Sequence, residues 1–277
     1  MDRRKAMKVA AGAVAGTGIG LFTLSTAFKP EKQPSIEPSK IDYDQANESN
    51  WQYVPLDPVV TAQLAYGFYS EGSCMYATVK SVVSQLSEKI GEPFTSFPTH
   101  MFKYGHGGVG GYGSVCGTLN GAAALIGLLV NDKSIQNKMI ADIFRWYEQA
   151  SLPTFNPENP KSEYIPAQSK ANSVLCHASN TNWCKPAGFK VDSKERKERC
   201  RRMTGDVALK VTASLNDIYN NTYIADAISN DEANTCLTCH GSQGKVNNAS
   251  VQMNCTSCHP KSLGHRVFAD VHYKMMK

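Results

Sequence analysis

The chain has little excess charge, few aromatic residues and no long apolar run after its first 27 residues. Its net charge is +5, of which the first 27 residues carry +3. The remaining 250 residues are close to neutral, which excludes the basic surface that nucleic-acid binding needs. Without a second long apolar run there is no transmembrane helix in the body of the chain. No acid–base constellation marks a hydrolase or transferase. The glycine loop from Gly105 to Gly113 is not a nucleotide fingerprint, because no strand precedes it and no acid follows at the βαβ distance. Hydrophobic residues still make up 42% of the 277, enough for a packed core.

Nine cysteines are many for a cytosolic protein of this size. Residues 1–27 read as an export signal. Arg3-Arg4-Lys5 precedes the small apolar run Val9 to Ala27, and Ser25-Thr26-Ala27 offers a small-x-small cleavage site. The paired arginines resemble a twin-arginine address, a route for proteins exported folded, here to the periplasm. A retained membrane anchor is the alternative; after cleavage no stable membrane span remains. Residues 28–56 begin with Pro, Lys, Glu, Ser and Asn and read as an extended arm.

Residues 57–230 carry helical patterning, so the fold is expected to be mainly α. Val79, Val82, Val83, Leu86 and Ile90 recur at helical spacing, and Gly91-Glu92-Pro93 ends the run. The run Ala122–Val130 is apolar all round and reads as a central helix. Ile140, Ile143, Phe144 and Tyr147 line another helix face. A long helix starts near Ser193, with Val207, Val211, Leu215 and Ile218 on one side. Between them, Cys176 and Cys184 fall in a polar, loop-like stretch.

Residues 231–277 hold four cysteines and four histidines with little aliphatic content. Such a segment cannot bury enough apolar surface alone. Two motifs explain it: Cys236-Leu237-Thr238-Cys239-His240 and Cys255-Thr256-Ser257-Cys258-His259. Both are CxxCH, in which two thiols form thioethers to a haem and the histidine ligates its iron. A pair of zinc-binding CxxC sites is the competing reading, but the histidine after each pair and the export signal favour two haem c groups. The rings would supply the missing core. Candidate sixth ligands are His265 and His272, then His106 and His100, with Met275 and Met276 behind them. His265 is too near His259 to reach the opposite face of the same ring and suits the neighbouring haem.

Cys74, Cys116, Cys176, Cys184 and Cys200 lie outside these motifs. Disulfides are natural in an oxidising compartment. Cys74 and Cys116, however, each open a helical stretch, where the positive helix end favours a thiolate. Four thiolates are also what an iron–sulfur cluster commonly takes. On the residues alone both readings stand.

The stretch from Ser73 to about Asn221 resembles the redox-active proteins named for a C…GCAxxG…C…C pattern. The matching pieces are Ser73-Cys74-Met75-Tyr76-Ala77, Cys116-Gly117-Thr118-Leu119-Asn120-Gly121, Ser173-Val174-Leu175-Cys176 and Cys200. Here Val115-Cys116-Gly117 stands where the pattern has Gly-Cys-Ala, and Gly121 comes one step late. Followed by two CxxCH motifs, the whole resembles the split-Soret cytochrome c family. That resemblance implies a homodimer with two stacked haems per subunit and histidine on both faces of each iron, one donated by the other subunit. It also implies an iron–sulfur cluster, of 2Fe-2S type, at the end away from the haems. Cys74, Cys116, Cys176 and Cys200 match its cysteines; Cys184 is extra and could replace one.

The expected function is therefore electron transfer between redox partner proteins. The alternative is a small oxidoreductase that reduces a substrate at an open haem or at the cluster. Mass spectrometry of the mature protein is expected to show two haems that survive acid–acetone extraction.

Overall fold

The computed structural model describes residues 51–225, 231–255 and 259. The export segment, most of the arm, Cys258, His265, His272, Met275 and Met276 lie outside the described residues. All described residues belong to one unit, Asp42–Lys277.

The first helix, α1, runs Pro58–Ile90. Asp57 caps it by accepting from the Val59 and Val60 amides at 2.8 and 3.2 Å, and Pro58 takes the first position. At Ser73 the backbone leaves the helix, with φ 66° and ψ −164°, and resumes at Cys74. A short 3-10 helix, Thr99–Gly105, leads through the glycine loop into α2, Gly117–Leu129. Asp132 caps α3, Lys133–Gln149, by accepting from the Ser134 and Ile135 amides. Strands β1, Ser151–Leu152, and β2, Ser169–Lys170, pair antiparallel, with Ser151 opposite Lys170. Then come α4, Cys176–Ala187, and α5, Lys194–Tyr219, capped by Ser193. Helix α6, Asp231–His240, follows. The mainly α expectation holds.

The core lies where α1 packs along α5 and α2. Val79, Val82, Val83 and Leu86 meet Leu119, Ala122, Ile126, Met203, Val207, Val211 and Leu215, all 2% exposed or less. Each large aliphatic side chain so buried contributes roughly 1.5–3 kcal/mol. Residues 51–56 lie against this core: Trp51 packs edge-on to Phe94 and Phe97, and Asn216 holds Tyr53 and both backbone groups of Leu56.

Two local readings of the sequence change. The stretch with Cys176 and Cys184 is helix α4, not loop. Its buried face is Cys176, Ser179 and Trp183, so no aliphatic periodicity announces it. The Trp183 indole is anchored by donating to the Ala167 carbonyl at 2.8 Å. Helix α2 is buried on one face only; Gly127 is exposed.

The loop leaving β1 is tied down by Asp206 of α5. Its carboxylate accepts from Thr154 Oγ1 at 2.6 Å and from the Phe155 amide at 2.8 Å. Replacing Asp206 by alanine leaves the buried Phe155 amide without its acceptor. It is expected to cost about 2–3 kcal/mol of stability, read by urea unfolding.

Candidate metal centre

Four cysteines meet at one cavity of about 270 Å³: Cys74, Cys116, Cys176 and Cys200. Each arrives by a local device. The Ser73 break makes Cys74 the first residue of the second segment of α1. That φ/ψ region is nearly glycine's own and costs roughly 1–3 kcal/mol, so the surrounding structure must hold it. Cys116 is the N-cap of α2, and Cys176 is the first residue of α4. An isolated antiparallel bridge, Val115 to Leu175, sets those two helix starts side by side. The Cys116 amide donates to the Val174 carbonyl, and the Cys176 amide to that of Ser114, both at 2.8 Å. Cys200 lies in the second turn of α5. Among the described residues none of these cysteines is in a disulfide.

The positive ends of three helices thus point at one group of thiols. Cys116 is pulled down to about 6, chiefly because the Cys176 thiol donates to it. The Tyr147 hydroxyl, the Thr118 amide and the Arg199 cation act in the same direction, against burial. Cys176, as that donor, is pushed far up; burial pushes Cys74 up, as do the charges of Cys116 and Cys200. Asn180 donates to Cys176 Sγ at 3.3 Å and accepts from Cys200 Sγ at 3.4 Å. Cys116 thus ionises with ease, while Cys74 and Cys176 resist losing their protons. Full deprotonation needs cations inside the cavity, which is what bound metal supplies. No three His, Cys, Asp or Glu side chains among the described residues close on a single point that would hold one ion. The four cysteines instead share the wall of one cavity. Four thiols are a donor set that can hold an iron centre.

The other sequence candidates are placed as follows. Cys184, on α4, lines a different pocket with Lys185 and Phe189. His106 lines the four-cysteine cavity at its exposed side, and His100 is exposed in the 3-10 helix. Cys236, Cys239 and His240 are carried by α6. His240 Nδ1 lies 2.8 Å from Asn248 Oδ1; donating to that oxygen, it keeps the Nε2 lone pair for a metal. Cys236 reaches Cys255, so the two CxxCH motifs start side by side. The second motif is tied to the helical body, because the Asn254 amide donates to Glu148 Oε1 at 3.4 Å and Met253 packs on the core. His259 is exposed, its amide bonded to the Cys255 carbonyl. Sequence reasoning missed Arg199, Tyr147 and Ser179 as neighbours of the thiols. Arg199 sits in the highly charged run Lys194–Arg202, which reads as a solvated helix face.

Residues 76–214 match the family described as "Putative redox-active protein (C_GCAxxG_C_C)". Over 261 residues the chain is 34% identical to split-Soret cytochrome c of Desulfovibrio desulfuricans (strain ATCC 27774 / DSM 6949 / MB), covering 89% of this chain and 90% of that protein. The chain belongs to the split-Soret cytochrome c family. A solved structure of that cytochrome, described as having a novel iron centre, superposes with a TM-score of 0.71 at 32% identity. It spans 80% of this chain and 96% of its own. The matched stretch includes Cys116, Cys176, Cys184 and Cys200, and Cys74 lies two residues before it.

Family membership makes this a redox protein of the cytochrome c type. The structure also explains how the glycines of this chain serve where they depart from the named pattern. Gly117 and Gly121 are one helical turn apart and face α1. A Cβ on Gly117 would lie 2.0 Å from the Gly105 carbonyl oxygen and 3.2 Å from Cys74 Cβ. One on Gly121 would lie 2.9 Å from Thr78 Cβ. The two glycines let α2 approach α1 closely enough for Cys116 to meet Cys74. Gly117→Ala is expected to cost roughly 1–3 kcal/mol. It should also lower non-haem iron per chain while haem content is kept, measured by iron assay against the haem absorbance.

Proposed function

We propose that the chain is a periplasmic electron carrier with two kinds of redox centre. Cys236, Cys239 and His240 hold one haem c; Cys255, Cys258 and His259 hold the other. Cys74, Cys116, Cys176 and Cys200 hold an iron–sulfur cluster of 2Fe-2S type. The observation that carries this reading is the meeting of four cysteines at one cavity in a chain with two CxxCH motifs. The novel iron centre of the relative supports it.

When bound, these groups exchange single electrons with redox partner proteins. The chain's own residues do the rest. Thioether links from α6 fix one ring at its edge, and the bond from His240 to Asn248 orients the axial nitrogen. Cys236 and Cys255, side by side, would bring the two rings close. The sixth ligands come from His265, His272, His106 and His100, so both irons are closed to substrate, which favours a carrier over an enzyme. Stacked rings leave apolar edges that a homodimer would cover, with one histidine crossing the two-fold axis. The twin-arginine address fits a chain whose cluster is inserted before export.

No helix among the described residues is long and apolar enough to cross a membrane, which is compatible with a mature protein free of an anchor. Paired optical and EPR spectra of the purified protein test the reading. Low-spin haem together with a cluster signal in the reduced state is expected. High-spin ferric haem that binds carbon monoxide readily would favour the enzyme. In a serine series, Cys74, Cys116, Cys176 and Cys200 variants are each expected to lose or alter the cluster signal with the haem spectrum kept. Cys184→Ser should leave both unchanged.

A further inference from the structure

Helix α5 carries three arginines in four positions, and two of them share a carboxylate. Arg201 Nη1 and Arg202 Nε each lie 2.8 Å from the buried Glu198. Arg199 is different. It is 1% exposed and has no carboxylate partner among the described residues. Its hydrogen bond runs from Nη2 to Ser179 Oγ at 2.9 Å, and its buried Nε has no partner. A guanidinium cannot shed its proton at ordinary pH, so this is a fixed buried charge with no carboxylate opposite it among the described residues. What it faces is the cavity of the four cysteines, which it helps to line. Ser179, itself 1% exposed, holds it there, bonding Arg199 on one side and the Tyr147 hydroxyl at 2.9 Å on the other.

We propose that Arg199 is the built-in counter-charge of the cysteine-held centre and raises its reduction potential. This rests on the reading of the cavity as a cluster site. Four thiolates around iron and sulfide carry net negative charge, and each added electron makes it more negative. A cation fixed nearby in a water-poor interior stabilises the reduced form more than the oxidised one. Arg196 offers an internal comparison. Its Nη1 lies 3.9 Å from Cys200 Sγ, but the side chain is only partly buried, so water screens it more than it does Arg199.

The test is an EPR-monitored redox titration of the purified holoprotein, with the haem potentials followed optically in the same samples. Arg199→Gln is expected to move the cluster potential to more negative values. Arg199→Lys should stay near the wild type, Arg196→Gln should shift less than Arg199→Gln, and haem potentials should not move. An Arg199→Gln cluster that titrates at the wild-type potential overturns the proposal, as does a lysine variant displaced as far as the glutamine one. Should Arg199→Gln assemble no cluster, a lysine variant that restores it supports the counter-charge, and one that fails equally overturns it. Wild-type protein with no acid-labile sulfide overturns the reading of the cavity and this assignment together. A wild-type cluster with an unmoved glutamine variant overturns this assignment alone.

Discussion

Three of the four thiols that share one cavity stand at helix starts, and the fourth, Cys200, lies one turn into α5. A helix start is where a thiolate is best tolerated, because unpaired amides and the helix dipole favour negative charge. The rest of the described fold follows from that constraint. Helix α1 breaks at Ser73 so that a second start falls at Cys74. The Val115–Leu175 bridge sets the starts of α2 and α4 together. Gly117 and Gly121 remove the side chains that would keep α2 off α1. These features run against stability taken singly, since a strained serine and a buried thiolate are both costly. They make sense as one arrangement for a metal-bearing centre, whose binding would offset them.

The haem-bearing part obeys a different logic. It has few aliphatic residues, and its described contacts with the helical body include the Asn254 bond to Glu148 and the packing of Met253. Burial raises the Glu148 carboxyl above its usual range, against the pull of the Asn254 and Val174 amides and the Arg145 cation. With haems tethered at the CxxCH motifs, as proposed, the rings would supply most of the order of such a segment.

Much of this was legible in the sequence. The aliphatic spacing from Val79 to Ile90 and from Val207 to Ile218 located the two helices that make the core. The CxxCH motifs announced haem, because the chemistry itself dictates their spacing. Helix α4 was hidden, since its buried face is one cysteine, one serine and one tryptophan. The roles of Gly117 and Gly121 were read as departures from a pattern; their meaning lies in a contact with α1 that no local window contains. Arg199 was hidden for the opposite reason. Its neighbours are nearly all charged, and only its bond to Ser179 of α4 and its place in the cavity wall show that this one points inward. Among the five non-haem cysteines, pattern alone left Cys184 as a possible substitute, whereas the structure sets it apart from the cavity.

The central claim is that Cys74, Cys116, Cys176 and Cys200 carry iron in addition to the haems. Mössbauer spectroscopy of the protein grown on ⁵⁷Fe tests it most directly, because haem iron and sulfur-ligated tetrahedral iron give distinct spectra. The account predicts two populations in the wild type, low-spin haem iron and coupled tetrahedral iron, with the second lost in Cys200→Ser. A spectrum in which every iron atom is haem iron, with the four cysteines paired as disulfides, would contradict it.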